Sequence, residues 1–253
     1  MMLAELNIYL EPSGDQWPAV SMGSLFHGWL MQRVTGYYAK KLHQPGPKPF
    51  SQHLEVKRGE VIWHISTLNE EAFSHLLKPL ADNTPRFVEL EAKGRAFPVK
   101  GSEMGKVYAS YKDLTDGCYL AQDPARRLVF FATTPVAFRS NREYQIFPSE
   151  FHIMQSLVNR WNAFADAVSL DDEEAFRALV AALRITRYRL ESKTYHIEGI
   201  RIPGFTGRWE MSIKGPEALR RLATMLGMYA DFAGIGIKTA LGMGGVKLEE
   251  IVV

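Results

Sequence analysis

The sequence predicts an α+β protein built from two tandem ferredoxin-like (βαββαβ, RRM-like) domains, and three observations predict it. Strand-like and helix-like hydrophobic patterns succeed one another in the order β-α-β-β-α-β, and that order recurs in the second half without obvious identity between the halves. The 253 residues, 46% of them apolar, suffice for one large core or two small ones. Between the two patterns, Gly101 to Pro124 is rich in glycine and polar residues and reads as a linker. The domains are therefore expected at 1–110 and 125–253, with the boundary between Phe97 and Arg127.

In the first half, Ala4 to Leu10 alternates weakly and stops at "EPSGD", a strand and a turn. From Ser21 to Leu42, Leu25, Trp29, Val34, Tyr37 and Tyr38 recur near helical spacing, which predicts one long helix with Ser21 as its N-cap. "HLEVKRGEVIWHIS" gives two strands about a "KRG" turn, "TLNEEAFSHLLKPL" a helix started by Thr67 or Asn69, and "RFVELEAKGRAF" a strand. In the second half, "RRLVFFATTPVAF" is a short β-rich apolar run. "PSEFHIMQSLVNRWNAFADAV" is a helix with Pro148 in its first turn, followed by a short helix around "LDDEEAFRALVAAL". "RITRYRLESKTYHI" and "RIPGFTGRWEMSIKG" pair as a hairpin, "PEALRRLATMLGMYADF" is helical, and "GGVKLEEIVV" closes as a strand.

Thirty basic and 28 acidic residues leave a net charge of +2, so any anion site must arise from local clustering. The lone Cys118 leaves no internal disulfide or multi-cysteine zinc site, which suits a reducing cytoplasm. No apolar run approaches the ~20 residues that span a bilayer, and the acidic N-terminus is unlike a signal peptide, so a soluble cytoplasmic protein with no membrane partner is expected.

Gly234, Gly236, Gly242, Gly244 and Gly245 are spaced GxGxxxxxGxGG around Lys238 and Thr239. Such a loop can turn its amides toward an anion, with Lys238 adding a charge, or can be a tight turn against the neighbouring domain; both readings are open. The loop follows a helix and precedes a strand, unlike a Rossmann fingerprint, and it lacks a P-loop's GK[ST].

"AGIGIKTALGMGGVKLE" resembles the glycine-rich signature of the repeat-associated RNA-binding proteins of CRISPR systems. The ordered set "ATTPVAFRSN", "FPSEFHIMQSLVNRWNAF", "GFTGRWEMSIKG" and the loop resembles the sixth CRISPR-associated family, the endoribonucleases that process precursor crRNA. The match covers most of Leu128 to Val253. In the first half it rests on "LFHGWLMQRVTGYYAKKLH" and "KPFSQ". The resemblance implies a metal-independent enzyme that holds a repeat stem-loop and cuts one phosphodiester, leaving 2′,3′-cyclic phosphate and 5′-OH ends. It implies no cofactor and no metal site. It leaves two further partners open, other subunits of a CRISPR effector complex and a second copy of the chain. A non-catalytic RNA-holding subunit is the competing reading.

Cleavage by a 2′-OH needs a base, an acid and positive charge on the phosphorane, and histidine holds both protonation forms near neutrality. The resemblance points first to His43, in "KKLHQPGPKPFS", with Lys48 stabilising phosphate charge; it matches at His43, Lys48, Pro49, Phe50 and Ser51. His27, in "LFHGWL", is the rival. Sixteen residues along one straight helix would put it about 24 Å from His43, unless the helix breaks at Gly36. Tyr38 or Tyr37 can assist His43 or belong to the core. His53, His64, His75, His152 and His196 are expected to be structural. For RNA binding, Arg184, Arg187, Arg189 and Lys193 cluster on one predicted strand, with Arg201 and Arg208 on the next and Arg139 and Arg142 in "FRSNRE". Gly234, Gly236, Lys238, Gly242 and Gly244 would offer amides and one charge to RNA phosphates.

Overall fold

A computed structural model describes residues 3–12, 17–34, 36–57, 59–121, 123–165, 168–197 and 199–253; parts of the expected "EPSGD" and "KRG" turns, Arg58 among them, lie outside these. The chain runs β1 (Leu3–Leu10), α1 (Gly23–Met31), α2 (Gly36–His43), β2 (Phe50–Lys57) and β3 (Glu60–Thr67). It continues through α3 (Glu70–Ala72) and α4 (Lys78–Asp82), joined by a π turn over Phe73–Leu77, to β4 (Phe87–Leu90) and β5 (Arg95–Tyr108). After α5 (Tyr111–Tyr119) come β6 (Arg127–Val136), the small strands β7 (Phe138–Ser140) and β8 (Glu143–Gln145), α6 (Glu150–Phe164) and α7 (Glu173–Ala182). The chain closes with β9 (Leu183–Ile197), β10 (Ile200–Ile213), α8 (Glu217–Ala233) and β11 (Val246–Val252). The sheets are antiparallel, in the orders β2-β3-β1-β5-β4 and β11-β6-β10-β9. With β4 as an added edge, each puts the module's first and third strands at its centre, the ferredoxin-like arrangement. Among the described residues no helix is long and apolar enough to cross a membrane.

Three expectations are corrected. The helix over Ser21–Leu42 is two helices. Val34-Thr35-Gly36 is a run of poor helix formers, and Arg33 folds back over the Trp29 ring at 3.4 Å while donating to Trp29 O at 3.3 Å. Ser21 is not a cap: it lies in a 3₁₀ turn, and Met22 sits at the N-cap position without a side-chain bond. Gly101–Pro124 is not a linker. It holds the end of a 14-residue strand and then α5, started by a Ser110–Asp113 capping box. Tyr111, Leu114 and Cys118 of that helix belong to the C-terminal core, with Trp161 and Tyr229. Asn69, by contrast, caps α3 as expected, its Oδ1 accepting from Ala72 N at 2.8 Å.

The two modules are joined by buried polar contacts. Ser51 Oγ donates to Phe232 O at 2.6 Å; Gln52 Nε2 donates to Gly23 O at 2.8 Å and Ala240 O at 3.1 Å while its Oε1 accepts from Trp63 Nε1. The face of the N-terminal sheet turned toward the C-terminal module carries a second set. His64 Nδ1 meets Asn7 Oδ1 at 2.7 Å and Glu5 Oε1 at 3.2 Å, and its Nε2 meets Glu55 Oε2 at 3.1 Å. Lys247 of β11 reaches the same Glu55 oxygen at 3.2 Å, and the His53 ring lies stacked on His64 beneath Gly245.

Candidate active site

A cleft of about 590 Å³ opens between the modules, lined by α1, α2 and the segment that follows it, β7, α6 and the glycine-rich loop. His27, on α1, and His43, at the end of α2, both line it. The distance that would have separated them along one straight helix no longer applies. His43 is exposed at the end of α2; His27 is half-buried, its ring parallel to Phe50 at 5.8 Å. Lys48 also lines the cleft, with Nζ donating to Gln44 O. Burial, and then the charge of Lys238, holds its ammonium below the usual lysine range. Arg139, Arg160 and Lys238 add to a cationic lining that, among the described residues, includes no carboxylate.

The glycine-rich loop has a clear local cause. Gly234, Gly236, Gly242 and Gly244 all have positive φ, and a Cβ at Gly236 would overlap Ala137 O. Its amides face inward. Gly236 N donates to Ser156 Oγ (2.8 Å), Ile237 N to Ala137 O (2.9 Å), Gly244 N to Pro135 O (2.9 Å) and Gly245 N to Thr134 Oγ1 (2.8 Å). Gly234 N is held by Ala230 O, and Gly242 is buried against Gly23 and Tyr195. The expectation that Gly234, Gly236 and Gly244 offer amides to RNA is therefore corrected: the Gly236 and Gly244 donors hold the loop to α6 and "ATTPVA", and the Gly234 donor closes the end of α8. Gly242 serves a close approach between modules, and Lys238, exposed, is the loop's contribution to the cleft.

Tyr38 is corrected as well. It is fully buried in the N-terminal core, stacked on His75 at 4.6 Å, and burial pushes its phenol well above the usual range. The structure does not bring the β9 cations to the cleft. Arg184, Arg187, Arg189 and Lys193 are exposed along an edge strand, with Lys193 near Glu191 at 3.4 Å. Arg142 sits with Asn141 in the two-residue β7–β8 turn, both at positive φ as a type I′ turn requires.

Sequence reasoning missed the α6 wall. Ser149, not Pro148, starts the helix, accepting from His152 N at 3.1 Å, and His152, Gln155, Ser156 and Asn159 then line the cleft. Buried Arg160 donates to Ala233 O and, at 3.3 Å, to Lys48 O, tying both modules together behind the site. The available signal was the polar spacing 152, 155, 156, 159 on a helix whose other face is apolar, a pattern that solvent exposure explains equally well.

Residues 131–246 match the family described as "CRISPR-associated endoribonuclease Cas6". The chain is 28% identical over 235 residues to the CRISPR-associated endoribonuclease Cas6 of Streptococcus thermophilus, covering 92% of this chain and 93% of that one. It is 27% identical over 256 residues to the Cas6 of Mycobacterium tuberculosis, covering 98% and 79%. The chain is thus similar to Cas6 endoribonucleases over nearly its whole length. A solved Cas6 product complex superimposes with a TM-score of 0.79 at 24% identity, spanning 99% of this chain and 100% of that one. The tandem ferredoxin-like fold is thus that of Cas6. The "KPFSQ" stretch has a structural meaning in it: Lys48 lines the cleft while Ser51 and Gln52 bind the opposite module.

Proposed function

We propose that this chain is an endoribonuclease that binds the repeat of a precursor CRISPR RNA and cuts it once, without a metal ion. Similarity to Cas6 endoribonucleases supports the substrate and reaction class. The observation that carries the chemistry is the placement of His27, His43, Lys48 and Lys238 on one cleft between modules, with no carboxylate in the lining among the described residues.

In this reading the scissile phosphate lies among Lys48, Lys238 and Arg139, which oppose the charge growing on the phosphorane oxygens. The ribose 2′-oxygen attacks phosphorus as its proton passes to a base, and the 5′-oxygen leaves as it takes a proton from an acid. His43, exposed on the cleft, is the principal acid–base group, and His27 is a further imidazole on the same cleft. Cutting by the 2′-OH leaves a 2′,3′-cyclic phosphate and a 5′-OH. The β9 arginines, away from the cleft, grip the duplex part of the repeat through its phosphates, a shape-based mode suited to A-form RNA.

The test is incubation of labelled repeat RNA in excess EDTA. Cutting with cyclic-phosphate ends, lost in His43→Ala, is expected. Tight binding without a cut by the wild type would instead favour an RNA-holding subunit.

A further inference from the structure

The α6 wall is chemically unlike the wall that faces it. Ile153, Met154, Leu157, Val158 and Trp161 bury one face of α6, and His152, Gln155, Ser156 and Asn159 line the cleft with the other, at i, i+3, i+4 and i+7. Two of these four are already engaged. Ser156 Oγ accepts from Gly236 N at 2.8 Å, and His152 Nδ1 pairs with Ser149 Oγ at 3.0 Å while its ring lies nearly parallel to Phe138, at 5.3 Å. Gln155 and Asn159 are exposed, and among the described residues neither amide head has a hydrogen-bond partner.

A nucleotide has two chemically distinct ends. Cations at Lys48, Lys238 and Arg139 suit its phosphate, whereas side-chain amides, each carrying a donor beside an acceptor, suit the edge of an unpaired base. At about 590 Å³ the cleft is large enough for such a ligand. We propose that α6 is a base reader: one unpaired nucleobase beside the scissile phosphate stacks on the His152 ring and presents its edge to Gln155 and Asn159. The proposal rests on the RNA-cutting reading above and adds that sequence preference at the cut is set by α6, separately from His43 and from the phosphate-binding cations.

The test uses repeat RNAs that differ only in the base at each unpaired position flanking the cut. Single-turnover cleavage is measured for the wild type, Gln155→Ala, Asn159→Ala and the double variant. Affinity is measured in parallel on RNAs with a 2′-deoxy sugar at the cut, which cannot react. At one position the wild type is expected to prefer one base by about 5- to 150-fold, the discrimination of a good two-point base contact. The double variant is expected to compress that preference to within about threefold, with unchanged melting temperature and cut site. Asn159→Asp, which keeps the acceptor and removes the donor, is expected to change which base is preferred. Equal loss for all four bases, an unaltered preference in the double variant, or a wild type that prefers no base would each overturn the proposal. If the wild type bound the RNAs with base preference and cut none, the cleavage reading would fail while the reader stood. If His43→Ala abolished cutting and the double variant kept the preference, the reverse would hold.

Discussion

Two histidine-bearing polar clusters lie between the same two modules, and they differ in what their side chains are doing. On the face of the N-terminal sheet turned toward the C-terminal module, His64 engages Asn7, Glu5 and Glu55 through both ring nitrogens, His53 is sealed beneath Gly245, and Lys247 and Lys57 converge on Glu55. In the cleft, His43, Gln155 and Asn159 are exposed, and among the described residues no carboxylate joins the cations in the lining. The first cluster is an assembly joint; the second is the surface proposed to bind RNA. Residue type does not separate them; prior engagement does.

The comparison breaks most decisively if the roles exchange under mutation. His43→Ala is expected to lower single-turnover cleavage about 10²–10⁴-fold, the usual contribution of one acid–base group, with melting temperature unchanged because the side chain is exposed. His64→Ala is expected to do the opposite, costing about 1–3 kcal/mol of stability by leaving Glu5 and Glu55 without their buried partner, with cleavage per folded molecule near wild type. Rate constants and denaturant midpoints on the two variants decide it.

Next in size is Gly245→Ala. A Cβ there would overlap the His53 ring, so overpacking of about 1–3 kcal/mol is expected, largely relieved in the double variant with His53→Ala. A double-mutant cycle without coupling would show that the joint is looser than the geometry implies.

Acid should act on the joint as well. Burial, followed by the neighbouring His64 and Lys247 charges, pushes the His53 imidazole well below its ordinary value of 6.5. Burial alone would raise the Glu55 carboxyl, but hydrogen bonds from His64 and Lys57 and the charge of Lys247 hold it well below 4.5 instead. Both groups have depressed folded-state values, so the unfolded chain binds more protons as pH falls. Stability is full above about pH 6.5 and declines below it through His53, then more steeply below about pH 4.5 through Glu55. Each group contributes a limiting slope of about 1.4 kcal/mol per pH unit. Denaturant midpoints from pH 8 to pH 4 should show the two-stage decline, and His53→Gln should flatten its first stage.

Much of this architecture was legible in the sequence, because periodicity reports which face of an element is buried. The two βαββαβ patterns, the Asn69 cap and the β9–β10 hairpin follow from it. Tertiary pairing was not legible. Gly101–Pro124 reads as a linker by composition, yet Gly101 to Tyr108 is ordered by pairing with β1 across the sheet, and α5 by its contacts with α8. The break between α1 and α2 was foreseeable from Gly36, but that it places His27 and His43 on one cleft depends on the fold. The loop glycines could be read as ligand-facing or inward-facing until their hydrogen-bond partners, Ser156 and the "ATTPVA" carbonyls, were in place.

Tyr38 gives the finest test of the distinction between joint, core and site. It stands five residues before His43, and sequence proximity alone makes it a helper. Its hydroxyl is buried with no hydrogen-bond partner among the described residues, and its ring stacks on His75 inside the N-terminal core. Tyr38→Phe keeps the ring and deletes only the unpaired hydroxyl, so stability should change by less than about 1 kcal/mol, toward stabilisation if at all. Cleavage should stay within about twofold, since a group that does not line the cleft has no transition-state interaction to lose. A drop of tenfold or more at unchanged stability would mean that the phenol reaches the cleft in the RNA complex, and the boundary between core and site would have to be redrawn through α2.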